Sequence, residues 1–112
     1  MTEQPDAIAE TARTVAAAAL AIDGVHALYG GPFGEIATYV PGERISGVRI
    51  GTEHGELHIV GEMKRNLRDV AEDARAAAEK LAGMPFVVTV ADVYVDLPGG
   101  TEMSGSAGME EQ

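Results

Sequence analysis

The segment NLRDVAEDARAAAEKLAGMPFVVTVADVYVD, residues 66–96, carries the strongest fold signal of the chain, because a helical pattern leads directly into a long strand. Apolar residues spaced three and four apart predict a helix over 67–82. Asn66 can cap its start, Gly83 suits the residue just past its end, and Pro85 prevents its resumption. The β-branched residues of 86–95 then predict a strand. The helical stripe consists of Leu67, Val70, Ala71, Ala74, Ala78 and Leu81.

A second helix is predicted near the N-terminus, over residues 6–22. Its apolar stripe again repeats at spacings of three and four, which buries one face. Pro5 suits the first helical turn and Gly24 the residue after the last. The stripe consists of Ile8, Ala12, Val15, Ala19 and Ile22.

Three strands are predicted between the helices, over 25–29, 46–52 and 57–63. The last two form a hairpin around a turn at 54–56, and a further short strand is predicted at 36–40. The order α-β-β-β-α-β predicts an α/β (α+β) two-layer sandwich, with both helices on one face of a small mixed sheet. The strand at 86–95 can return beside the hairpin by a crossover.

One domain is expected, over residues 6–96, between an N-terminal tail at 1–5 and a disordered C-terminal tail at 97–112. The last 16 residues are rich in glycine and serine and lack a periodic apolar pattern. The N-terminus has no basic run, which argues against a secretory signal. The longest apolar run, at 15–22, is far shorter than the roughly 20 residues of a membrane span.

The charge indicates which partners are disfavoured. Eighteen acidic residues face eight basic ones, for a net charge of −10. Such a surface repels phosphates, so no nucleic acid partner and no direct membrane insertion are expected. The one basic cluster, KRNLR at 64–68, is interpreted as a solvated helix start because acids follow it. The absence of cysteine excludes disulfides and thiolate metal sites and fits a cytoplasmic protein.

A glycine cluster, YGGPFGE at 29–35, raises the question of a phosphate-binding loop. Such a loop leads into a helix N-terminus, whereas strand-like sequence follows here and Glu35 places a negative charge in the loop. The spacing of Gly31 and Gly34 also matches a nucleic-acid-binding G-x-x-G loop, but the near charge is acidic. A surface turn is therefore predicted.

Neither a metal site nor a catalytic site is predicted. His54, Glu56 and His58 would share one face of a strand, at a spacing that zinc could use. The turn predicted at 54–56 breaks that face, so these side chains are expected in solvent. Ser46 stands at a strand start and Ser104 and Ser106 in the tail, where no base is held near them. No catalytic residue, cofactor or metal ligand is assigned, and the chain is predicted not to be an enzyme.

The hydrophobic pattern resembles a known family over about residues 7–96. The segments that carry it are IAETARTVAAAALAIDGVHAL, ISGVRI with GELHIVGEM, and the stretch at 66–96. Gly24-Val25 after the first helix, the strand start at Gly47-Val48 and the alternating valines of the last strand are similar to the alkaline shock protein family. These bacterial envelope-stress proteins, alkaline shock protein twenty-three and Gls twenty-four, occur mainly in Gram-positive organisms.

The resemblance implies a non-enzymatic envelope-stress protein that acts by self-association and by docking to a protein partner. It implies a homo-oligomer in the cytoplasm, either free or held at the membrane by a membrane-anchoring partner. The alternative is a small-ligand or regulatory binding module with a glycine-rich lid at 29–35. A closed apolar pocket under residues 30–44 would favour this module, and a continuous exposed apolar sheet face would favour assembly.

A candidate interface is expected on the strand at 86–95, which is apolar on both faces. Two helices cover only one face of a small sheet, so one set of side chains needs another cover. By strict alternation, Val88, Val90 and Tyr94 lie on the face that also carries Asp92, which tolerates water. These three residues are the predicted interface for a second copy or a partner. In the alternative, residues 30–44 fold back over this strip.

Overall fold

The structure, a computed structural model, describes residues 5–96 and 102–103. Within these residues, two helices and seven strands follow one another in the order α-β-β-β-β-β-α-β-β. The helices are α1 (Pro5–Leu20) and α2 (Leu67–Ala82); the strands are β1 (Val25–Leu28), β2 (Ala37–Val40), β3 (Glu43–Ser46), β4 (Val48–Ile50), β5 (Gly55–Glu62), β6 (Phe86–Asp96) and β7 (Glu102–Met103).

Both ends of α2 form as the sequence predicts. The Asn66 side chain accepts a hydrogen bond from the Asp69 backbone N–H at 3.1 Å, which caps the first turn. Gly83 adopts the left-handed conformation, with φ of 71°, and its N–H donates to the Glu79 carbonyl. A residue with a Cβ is strained in that conformation, so glycine ends the helix here.

The main sheet is built around β5. On one side of β5, two strands pair antiparallel with it: β4 with the first residues of β5, and β1 with the last. On the other side, β6 pairs with it in parallel, which the crossover through α2 makes possible. The short β7 continues the sheet, antiparallel to the end of β6. The predicted two-layer α+β sandwich with a mixed sheet is confirmed.

One core joins both helices to the sheet. Small side chains of α1 and α2 allow the helices to approach each other and the strands closely, and β-branched or larger side chains of β4, β5 and β6 fill the space between. Among the described residues, the buried apolar ones are Ala9, Ala12, Val15, Ala19, Val25, Ala37, Ile45, Val48, Leu57, Ile59, Val70, Ala74, Ala78 and Phe86.

The segment after β1 forms a hairpin that the sequence predicted only in part. The strand expected at 36–40 is β2, and β3 pairs with it antiparallel around Pro41 and Gly42. The hairpin packs against α1 and β4, where the Thr38 hydroxyl donates to the Val48 carbonyl at 2.6 Å. Arg13 of α1 binds Glu43 at 2.7 Å and lowers the pKa of that carboxyl by hydrogen bonding to it. The hairpin thus lies at the opposite edge of the sheet from β6 and does not fold back over it.

Some boundaries differ from those expected. The turn between β4 and β5 comprises residues 51–54, so Gly55 and Glu56 already belong to β5 rather than to a turn at 54–56. Of the tail expected to be disordered, Glu102 and Met103 pair with Asp96 and Val95, and the rest lies outside the described residues. Neither α1 nor α2 is long and apolar enough to cross a membrane.

Candidate functional site at the open sheet face and its edge

The sheet face opposite the helices, called the open face below, has no layer of the described chain over it. Alternate residues of β5 point to it, while Leu57 and Ile59 are buried beneath the helices. On β6, Val87 pairs with Glu56 and is 55% exposed. The β5 residues on the open face are Glu56, His58, Val60 and Glu62.

Two β-bulges interrupt the alternation at the same level of the sheet. On β6, Val90 pairs with Ile59 and Asp92 with Val60, so Ala91 is an extra residue. On β1, His26 is the extra residue between the partners of Gly61 and Val60. A bulge shifts by one residue which side chains point to which face. Val87 and Thr89 therefore face outward before the bulge, and Asp92 and Tyr94 after it.

The predicted interface of Val88, Val90 and Tyr94 is wrong as a single exposed strip. Val88 and Val90 are partly buried and pack against the core, under the helices. Tyr94 lies on the open face, as expected, because the bulge at Ala91 places it opposite Glu62. The error has a physical cause: strict alternation along β6 assumes a regular strand, and the extra residue breaks the regularity.

At one end of the open face, an aromatic pair lies beside charged groups. The rings of His26 and Tyr94 stack with centroids 3.8 Å apart and an interplanar angle of 5°. His26 Nδ1 is 3.3 Å from a Glu62 carboxylate oxygen, and Lys64 Nζ is 3.3 Å from the other. Lys64 also binds Asp23 at 3.2 Å, and these hydrogen bonds raise the pKa of Lys64. The bulge at His26 brings its ring over β5 to meet Tyr94.

At the other end of the open face, Glu56 joins Arg49 and His58. His58 Nε2 is 3.2 Å from Glu56 Oε1, and Arg49 Nη1 is 3.6 Å from the same oxygen. His54 is exposed in the turn before β5 and does not join them in this cluster. Within residues 5–96 and 102–103, no three histidine or acidic side chains converge as a metal would require.

The outer edge of β6 is the second part of the site. In the described chain, no strand pairs with that edge before Val95. Its two ends are capped by carboxylates: Glu79 Oε2 accepts from the Phe86 N–H at 2.9 Å, and Asp92 Oδ1 accepts from the Val93 N–H at 2.8 Å. Such an edge, apolar and without lysine or proline, is a template for pairing with another chain.

The glycine loop at 29–35 is a turn, as predicted. It connects β1 to β2, both strands, and the Gly34 N–H donates to the Gly31 carbonyl at 3.2 Å. Glu35 turns back to accept from the Phe33 N–H at 3.0 Å. Phe33 stands at the tip with 91% of its surface exposed. The N–H groups of Phe33 and Gly34 are thus bonded within the loop itself and are not free to hold a phosphate.

A cavity of about 630 Å³, largely open to solvent and not a closed pocket, lies between the hairpin, the start of α1 and the β4–β5 turn. Its wall includes Tyr39, Arg49, His54 and Glu56, and no residue of 29–35. The glycine loop therefore does not close over this cavity as a lid would.

The basic cluster at 64–68 is largely neutralised. Lys64 binds Asp23 and Glu62, as described above. Arg65 binds the Asp73 carboxylate at 3.0 Å and the Asp23 carbonyl at 2.6 Å. These cations hold α2 to the turn after α1, a structural role, and a phosphate would have to displace the acids to reach them.

Sequence reasoning missed the edge and its two carboxylate caps. Asp92 was a visible signal, because an acid within an otherwise apolar strand requires a reason. The sequence carries no signal for Glu79, because its partner Phe86 lies seven residues later, beyond the end of α2. Ser46, for which no nucleophilic role is predicted, ends β3; Ser104 and Ser106 lie outside the described residues.

Comparisons with protein-family models, with curated proteins and with solved structures find no match to this chain.

Proposed function

We propose that this protein is a non-enzymatic scaffold of the alkaline shock type, which self-associates and docks to a protein partner at the cytoplasmic side of the cell envelope. The observation that carries the proposal is the sheet itself, covered by helices on one face and open on the other. Exposed aliphatic and aromatic side chains between polar ones are the usual composition of a reversible protein interface.

The composition of the open face favours association that can be reversed. Val60, Val87 and Tyr94 supply apolar and aromatic contact area, and Glu56, His58 and Glu62 lie between them. This is not the continuous apolar face that a permanent oligomer would use. The net charge of −10 favours recruitment by a basic protein surface over anionic lipid. The resemblance in hydrophobic pattern supports the envelope role.

The test measures the mass of the full chain by light scattering as a function of concentration. A Val87→Glu, Thr89→Glu double variant places two charges on the open face, and we expect its mass to fall to that of a monomer. Leu81→Glu is the control for a glutamate placed outside the open face, because Leu81 is 46% exposed on α2, away from that face. A wild-type chain that stays monomeric at all concentrations and binds no envelope protein contradicts the proposal.

A second candidate function is the small-ligand module. The cavity of about 630 Å³ favours it, since apolar Ile8 and Ile50 and polar Arg49 and His54 line the same space. The lid would then be the β2 side of the hairpin, through Tyr39, and not the loop at 29–35. An Arg49→Gln variant that loses a ligand-induced rise in melting temperature, seen for the wild type in a metabolite screen, would support this candidate.

A further inference from the structure

We propose that the outer edge of β6 binds an extended, basic-ended segment of a protein partner, which adds a strand to the sheet. The inference rests on the proposed docking function and names the chemistry of the partner. It uses the edge of the sheet, whereas self-association through the open face uses side chains of Val87 and Thr89.

The backbone geometry identifies which groups would bind. The Pro85 carbonyl accepts from the Gly55 N–H at 2.8 Å, so it points toward β5. Successive residues of a strand point their N–H and C=O to opposite sides. The N–H and C=O groups of Val87 therefore point toward β5, and those of Phe86, Val88 and Val90 point toward the outer edge. The side-chain cap on the Phe86 N–H agrees with this alternation.

The caps define a window along this edge. The Glu79 carboxylate accepts a hydrogen bond from the outward N–H of Phe86, and the Asp92 carboxylate accepts one from that of Val93. Beyond them, Val95 is already paired with Met103 of β7. Between the caps, the outward groups of Val88 and Val90 have no partner in the described chain. The side chains of both valines pack against the core, which holds this stretch of backbone extended. A preformed, extended edge lowers the entropic cost of adding a strand.

Charge selects the partner. The caps place a carboxylate at each end of the window, and at roughly 3.3 Å per residue the two capped amides lie about 20 Å apart. Arg75 binds both Glu79 and Glu72, so two carboxylates share one guanidinium and that end stays negative. A second copy of this chain would bring another −10 charge to the edge. A segment with lysine or arginine at both ends and alternating apolar residues between them matches the window in charge and in spacing.

The experiment uses the full chain and a synthetic nine-residue peptide of alternating valine and threonine, with two lysines at each end. Backbone amide exchange is followed by NMR. We expect the peptide to slow exchange at Val88 and Val90 by about tenfold or more, as new hydrogen bonds require, and to leave exposed amides of the 51–54 turn unchanged. The same peptide with glutamate in place of lysine should not bind, and added salt should weaken the lysine peptide.

A pair of variants separates the edge from the packing. Val88→Pro removes the outward N–H at an edge position where proline is tolerated, and Val88→Ala removes the side-chain packing but keeps the N–H. Val88→Pro should weaken peptide binding about tenfold, the equivalent of a lost hydrogen bond, relative to Val88→Ala. If Val88→Pro does not fold, the amide exchange of the wild type decides by itself.

Three results would overturn the inference. Peptide binding that leaves Val88 and Val90 exchange unchanged would place the peptide elsewhere. If both amides exchange slowly without peptide, and exchange becomes slower as the protein concentration rises, a second copy of the chain occupies the edge. Slow exchange without peptide that is lost on truncation after Met103 would show that the chain's own C-terminal residues occupy it. In the Val87→Glu, Thr89→Glu variant, added peptide should still slow the exchange of both amides. Failure of self-association through the open face can therefore be distinguished from failure of strand addition at the edge.

Discussion

Glu79, in the last turn of α2, accepts a hydrogen bond from the Phe86 N–H, the first amide of β6, at 2.9 Å. The bond ties the end of the crossover helix to the strand that returns beside β5. Arg75 holds the other oxygen of the same carboxylate at 3.0 Å. Both contacts favour the charged form, and the bond from Phe86, followed by that from Arg75, holds the pKa of Glu79 below its ordinary value.

The first prediction concerns pH. Because the pKa of Glu79 is lower in the folded chain, its contribution to stability is present above its ordinary pKa of 4.5 and is lost as the pH falls through the folded value. Glu79→Gln should therefore lower the melting temperature at neutral pH, and the difference from the wild type should shrink below about pH 4. Melting is followed by circular dichroism. Glu53→Gln, in the exposed β4–β5 turn, controls for the change in net charge, and a pH-independent difference would contradict the prediction.

The second prediction concerns the close approach of β5 to Phe86. A Cβ on Gly55 would lie 2.4 to 2.7 Å from three atoms of the buried Phe86 ring, which has little room to move. Gly55→Ala should cost about 1–3 kcal/mol in the free energy of unfolding, as overpacking does. Gly30→Ala is the control, since its Cβ would meet Ser46 at an ordinary 3.4 Å. Urea titration measures both, and equal stabilities would show that the ring is not held against Gly55.

The third prediction concerns the C-terminal residues. Truncation after Asp96 removes the short β7 and its pairing with Val95 and Asp96, but none of the residues that are buried and apolar in the part of the chain that the structure describes. The truncated chain should melt within a few degrees of the full one. A chain that precipitates or unfolds on truncation would show that residues beyond Asp96 stabilise the domain.

The fourth prediction concerns nucleic acid. With a net charge of −10, and with Lys64 and Arg65 bound to acids, the chain should not bind DNA or RNA at physiological salt. A gel shift assay at low micromolar protein tests this. A shift that heparin competes would contradict the prediction and would point to the helix start at 64–68.

Local chemistry was enough to predict the elements with strong signals. Asn66 and Gly83 mark the two ends of α2 because capping depends on side-chain and backbone geometry within a few residues. The hairpin of β4 and β5 was also predictable, since alternating apolar residues surround a glycine-containing turn. The strand β3 was missed because ERIS, between Gly42 and Gly47, carries a single buried apolar side chain, Ile45.

The two helices, the long last strand and the acidic surface could be predicted without coordinates, because each depends on composition or on short-range spacing. Strand pairing in the folded chain sets which side chains of β6 lie on the open face and which of its backbone groups point to the outer edge. The strand is apolar on both faces, so its pattern holds no information about register. The bulge at Ala91 shifts the alternation, and it arises from pairing with β5, a strand more than 30 positions earlier in the chain.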